Sequence, residues 1–175
     1  MNVRAAIATD VVGLVSMEVA DLQVRTTQPY DARGLERRAE TVAGIGTIES
    51  RLGVPVTRVR SDGVEGEPLT LTGLDVNSPF IELDLFDGEW LDTPQSFNRY
   101  HIVLGHTILD NEPDIDVGDT ITLKHQGTEQ DWLVVGFVWA KNAPGNAGVP
   151  AYSYYESVET FANMPDMATT LLIDL

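Results

Sequence analysis

No cysteine occurs among the 175 residues. Disulfide frameworks and thiolate metal sites are therefore excluded, and bridges carry no message about redox compartment. Positive charge is scarce too: 11 Lys and Arg stand against 27 Asp and Glu, a formal charge of −16. Nucleic-acid binding depends on neutralising phosphates, so nucleic acid is excluded as a partner, and the same charge is repelled by an anionic membrane surface. No apolar run approaches the roughly 20 residues that span a bilayer. The first 20 residues do not follow the basic, apolar, cleavage-site order of a secretion signal, because Arg4, Asp10 and Glu18 interrupt them. Nucleotide motifs are missing: Gly44, Gly46 and Gly53 do not form G-x-G-x-x-G, and there is no G-x-x-x-x-G-K-[ST]. A nucleophile elbow, G-x-S-x-G, is missing as well.

What is present is a hydrophobic fraction of 43%, enough for one well-buried core. The stretch 100–139 organises the chain. It predicts a strand over 100–105, a short helical turn over 107–111, an acidic link, and a hairpin of 120–125 with 130–139. Val117-Gly118-Asp119 supplies the entry turn and Gln126-Gly127-Thr128 the tip. Strict alternation in the return strand places Leu133, Val135, Phe137 and Trp139 on one side and Trp132, Val134 and Val138 on the other.

Elsewhere, helices are predicted over 3–19, 32–43 and 154–163. Asp31 caps the second, Gly44 ends it, and Ser153 with Glu156 forms a capping box for the third. Strands are predicted over 21–27, 45–60, 69–74 and 168–175, with Gly53 and Pro55 marking an edge or kink in the second. Ser61-Asp62-Gly63 and 87–90 read as turns, 65–67 as a polar loop, 80–85 as a helical turn, and 93–98 and 141–148 as loops. The expected fold is α+β, with a mixed, mostly antiparallel sheet and flanking helices. The expected division is a membrane-proximal helix over 1–20 and a core domain over 21–175. The abrupt end at Leu175 suggests a piece of a longer gene product.

Candidate chemistry competes at each point with a plain reading. The acidic run 110–119, Asp110 to Asp119, offers alternate oxygen donors for a calcium ion, although it lacks the glycine and closing glutamate of an EF-hand. The plain reading is a solvated link. His101, His106 and His125 are the only histidines, and their spacing matches no zinc motif. Glu82, Asp84, Asp87 and Glu89 provide carboxylate pairs such as a glycosidase uses, but pairs arise by chance in so acidic a chain. Trp132 and Trp139 read as core, while Tyr154 and Tyr155 are balanced between core and interface.

Four stretches taken together resemble the MacB-like periplasmic core domain of FtsX-type ABC-transporter permeases. Residues 40–49, ETVAGIGTIE, resemble its helix-to-strand passage, and 69–75, LTLTGLD, its next strand and Gly-x-Asp turn. Residues 85–91, LFDGEWL, are similar to its L-x-x-G-x-W/F element. His101 to Gly105, Val117 to Leu123 and Trp132 to Val138 are similar to its closing pattern "VLG … VGDTI-x-L … V-x-G-x-V". The resemblance implies a domain that performs no chemistry, needs no cofactor and has no catalytic or metal-binding residues. It implies a place on the extracytoplasmic side of the cell membrane, between two spans of a permease, with this chain as a soluble fragment. The implied partners are a second permease copy or paralogue, a separate ATPase subunit or domain, and an envelope protein. The implied work is to pass ATP-driven motion to cargo or to that partner. The alternative is a freestanding ligand- or calcium-binding module using the acidic loop from Asp110 to Asp119.

Overall fold

A computed structural model describes residues 19–82, 84–91, 100–139 and 148–175. The predicted helix over 3–19, save Val19, and the loops over 93–98 and 141–148, save Gly148, lie outside the described residues. In chain order come strand β1 (Leu22–Asp31), helix α1 (Ala32–Glu40), β2 (Ile48–Val59), β3 (Glu65–Leu74) and β4 (Leu85–Gly88). They are followed by β5 (His101–Gly105), a 3-10 turn (His106–Asp110), β6 (Thr120–His125), β7 (Thr128–Val138), β8 (Val149–Tyr154), α2 (Tyr155–Ala162) and β9 (Met167–Ile173). The fold is α+β, as expected.

Six strands close on themselves. Pairing runs from β2 to β3, β8, β5 and β7, and β6 joins β7 back to β2. Four of these six pairings are antiparallel, while β3 with β8 and β5 with β7 are parallel. Closure leaves no unpaired edge around the ring. Two appendages extend it: β9 and then β1 continue from the start of β2, and β4 lies along the end of β7.

The interior follows strand alternation. Leu52, Val54 and Val56 of β2 meet Leu69 and Leu71 of β3, Ile102 and Leu104 of β5, Leu123 of β6 and Trp132 of β7 in one buried cluster. Helix α2 adds Val158, Phe161 and Ala162 to it. Gly73 is what lets α2 approach, since a Cβ there would lie 2.9 Å from Val158 Cβ and 3.0 Å from Tyr155 Cα. The Tyr155 hydroxyl donates to the Met167 carbonyl at 2.7 Å, tying α2 to β9, and burial pushes this phenol up to about 12. A second cluster covers the outer face of β5, β7 and β8, where Val103, Val138, Tyr152 and Tyr154 are buried with Leu74 and Leu91.

Several expectations are corrected. In β7, alternation breaks where Ile102 pairs with Val134 but Val103 pairs with Gly136, which leaves Val135 as an extra residue. Phe137 therefore joins Trp132 and Val134 inside, and Val138 joins Val135 outside. Residues 65–67 begin β3 instead of forming a loop, and Leu85 opens a strand instead of closing a helical turn. Helix α1 stops at Glu40, with Thr41 as its cap, short of Gly44. The predicted cap Asp31 is in place, its carboxylate accepting from the Gly34 N–H at 2.6 Å. Ser153 caps nothing: the cap residue of α2 is Tyr154, and the Ser153 hydroxyl donates to the His101 carbonyl at 2.7 Å.

Candidate functional site

The acidic link between β5 and β6 is the first candidate, and the structure gives its carboxylates other work. Ile108 and Ile115 are buried on either side and pin the segment to the core, each contributing about 1.5–3 kcal/mol by burial. Between them Glu112 is 1% exposed. It meets Arg58 and Arg60, with Arg60 Nη2 donating to Oε1 at 2.7 Å, Arg60 Nε to Oε2 at 3.0 Å, and the Glu67 N–H to Oε1 at 2.9 Å. Asp114, outside it, receives Arg58 Nη2 at 2.6 Å and Nη1 at 3.0 Å.

The electrostatics follow from these contacts. The hydrogen bond from Arg60 comes first among the causes that hold the Glu112 carboxyl below its ordinary range. The hydrogen bond from Arg58 brings Asp114 down to about 2. Nearby, the Asp119 carboxylate accepts the Asp116 N–H at 2.9 Å and shapes the turn into β6. Glu112 and Asp114 are thus committed to two guanidinium groups. Among the described residues no three His, Asp or Glu side chains gather to hold a cation. The cluster works as a latch fastening the link to the end of β2.

The histidines are dispersed. His101 packs near Tyr154 with ring centroids 6.4 Å apart, and buried His125 places Nδ1 2.8 Å from the Pro55 carbonyl. His106 belongs to an aromatic group at the surface: its ring lies 4.5 Å from Trp139 and 5.5 Å from Phe86. Phe86 meets Trp139 edge-on at 4.7 Å. Trp139, expected in the core, is 49% exposed, whereas Trp132 is completely buried and packs edge-on against Tyr100 and Phe161. Trp139 lies beyond the last residue of β7, where its N–H donates to the Asp84 carbonyl at 2.9 Å. Tyr154 is core and Tyr155 is half-buried.

Glu82, Asp84, Asp87 and Glu89 are exposed at and around β4, and no ion pair among the described residues involves them. Sequence reasoning missed both the latch and the aromatic group. A signal for the latch existed: Arg58 continues the inward row of Leu52, Val54 and Val56, and a charged residue in such a row demands a buried partner.

The first and last described strands are neighbours. Leu22 pairs with Ile173, and the Leu175 N–H donates to Asp21 Oδ2 at 3.0 Å. Among the described residues no helix is long and apolar enough to cross a membrane.

No family model and no curated protein matches the sequence. The fold does match solved structures. One is the extracellular domain of the ABC-type transporter YknZ from Gram-positive bacteria, with TM-score 0.56 and 15% identity, covering 82% of this chain and 70% of that one. Another is the periplasmic region of MacB from Actinobacillus actinomycetemcomitans, with TM-score 0.52 and 15% identity, covering 83% of this chain. The chain spans 63% of that MacB region, less than two thirds of it. The fold expected from the four stretches is thus the fold found.

Proposed function

We propose that this chain is the extracytoplasmic domain of an ABC-transporter permease, passing motion driven by a separate ATPase to cargo or to a partner protein. The observation that carries the reading is the shared fold, over more than four fifths of the chain, with the extracytoplasmic domains of two such transporters. Two features of the molecule support it. The ring of strands is a stiff body, and the first and last described strands leave it side by side, as a domain inserted between two membrane spans requires.

The test is placement in the intact cell. A single cysteine put at exposed Val42 of the full gene product has no competing thiol in this stretch. Labelling by a small membrane-impermeant maleimide before lysis is expected, together with apolar segments of about 20 residues encoded on both sides. A cysteine that reacts only after lysis would end the reading.

A further inference from the structure

The edge formed by β4 and the end of β7 concentrates features that the latch and the core do not use. Among the described residues β4 is the terminal strand of the sheet, and none of their strands pairs with its outer edge. Four exposed large hydrophobic residues belong to this edge: Leu85 and Phe86 on β4, Trp139 next to Leu85's partner Val138, and Val117 beside Gly88. Phe86 and Trp139 meet edge-on, and a Cβ on Gly88 would lie 3.0 Å from Val117.

Among the described residues the charge on and beside β4 is of one sign. Asp84, Asp87 and Glu89 are exposed beside the aromatic rings, and none of the ion pairs among the described residues uses them. The described cations lie elsewhere, on β1, α1, β2 with its following turn, and β6.

From this we infer that the β4 edge is a docking surface for an extended basic segment of a partner protein. Such a segment would continue the sheet through its backbone, lay an arginine over Trp139, and set further cations against Asp84, Asp87 and Glu89. Charge selects this occupant over its rivals. A second copy of the chain brings the same carboxylates to the contact, and its net charge of −16 opposes the approach. An anionic bilayer is repelled in the same way. The inference stands on this surface alone and holds whether or not the permease reading does.

The test is titration of the 175-residue chain with the peptide acetyl-Leu-Arg-Leu-Arg-Leu-Arg-amide, followed by amide NMR and calorimetry. Saturable binding is expected, with shifts centred on residues 84–88 and 138–139. Affinity should fall as salt rises from about 50 mM, and the peptide with Glu in place of Arg should not bind. Trp139→Ser should weaken binding about tenfold. Asp87→Asn should flatten the salt dependence, and its amide oxygen can still accept the Gly88 N–H that Asp87 Oδ1 accepts at 2.8 Å, so it decides the matter if the Trp139 variant folds poorly. The inference is overturned by absence of saturation, by shifts centred on another face, or by equal binding of the Glu peptide. It is equally overturned if sedimentation shows self-association that Trp139→Ser abolishes, since the edge would then be an interface between copies.

Discussion

Glu112 is the one carboxylate in the described chain that is fully enclosed and answered by two arginines. Replacing it by glutamine removes the charge, keeps one oxygen for the Glu67 N–H, and sets an NH2 donor in place of the oxygen that receives Arg58 and Arg60 Nε. Glu112→Gln is therefore expected to cost about 3 kcal/mol in denaturant unfolding, at the low end for a broken buried pair because Arg58 keeps Asp114. A loss below about 0.5 kcal/mol would show that the latch bears no weight. Acid should act through the same residues. Both carboxyls are held below their ordinary range, Asp114 to about 2, so the folded state binds these protons less readily than the unfolded chain does. Their contribution is complete above the ordinary carboxylate range of about 4, and it is lost as pH falls from there toward 2. Asp114→Asn should flatten the decline of stability across that interval, and an unchanged slope would reject the assignment. Trp139 shows the opposite lesson about legibility. The sequence pairs it by parity with Phe137, but the extra residue at Val135 breaks the count, and Gly136 beside it is the local residue type that signals such a bulge.

At the scale of elements, β2 explains how a proline sits inside a twelve-residue strand. One edge of β2 is covered by β3 over residues 52–59, whereas the other is shared: β9 takes residues 48–51 and β6 takes 57–59. Pro55 falls in the interval between them, where a missing N–H costs no ladder bond. Side chains fill the interval instead. The Thr169 hydroxyl accepts the Gly53 N–H at 2.8 Å, and His125 reaches the Pro55 carbonyl. Thr169→Val keeps the shape and removes the oxygen, so it should cost about 1 kcal/mol and speed exchange of the Gly53 amide. Unaltered protection of that amide would count against this role. The pattern of Gly53 and Pro55 was legible as an edge, but the identity of what covers it was not, since Thr169 lies 116 residues away. Helix starts were readable only where the cap is local. Asp31 holds its own helix, but Ser153 is drawn off by a carbonyl on a strand 52 residues distant.

For the whole molecule, closure of the ring should govern how the protein opens. Strands β2, β3, β5, β7 and β8 have neighbours on both sides, and their amides are expected to exchange only through global unfolding. β1 and β4 end the sheet, so they should exchange faster, by local opening. Equal protection of β4 and β5 would contradict this division. The α+β class, most strands and the central hairpin were legible from alternation and turn residues, because those signals are local. Closure was not legible, because it depends on β6 reaching β2, a pairing of residues 57–59 with 122–124 across more than sixty positions.

The neighbouring of β1 and β9 bears on how the molecule answers a pull. Because Leu22 faces Ile173, drawing the two ends apart would load the rungs of that ladder one after another, as a zip is opened, and little tension would be needed. Carried together in one direction, the same ends would leave every rung unloaded and convey displacement to the ring intact.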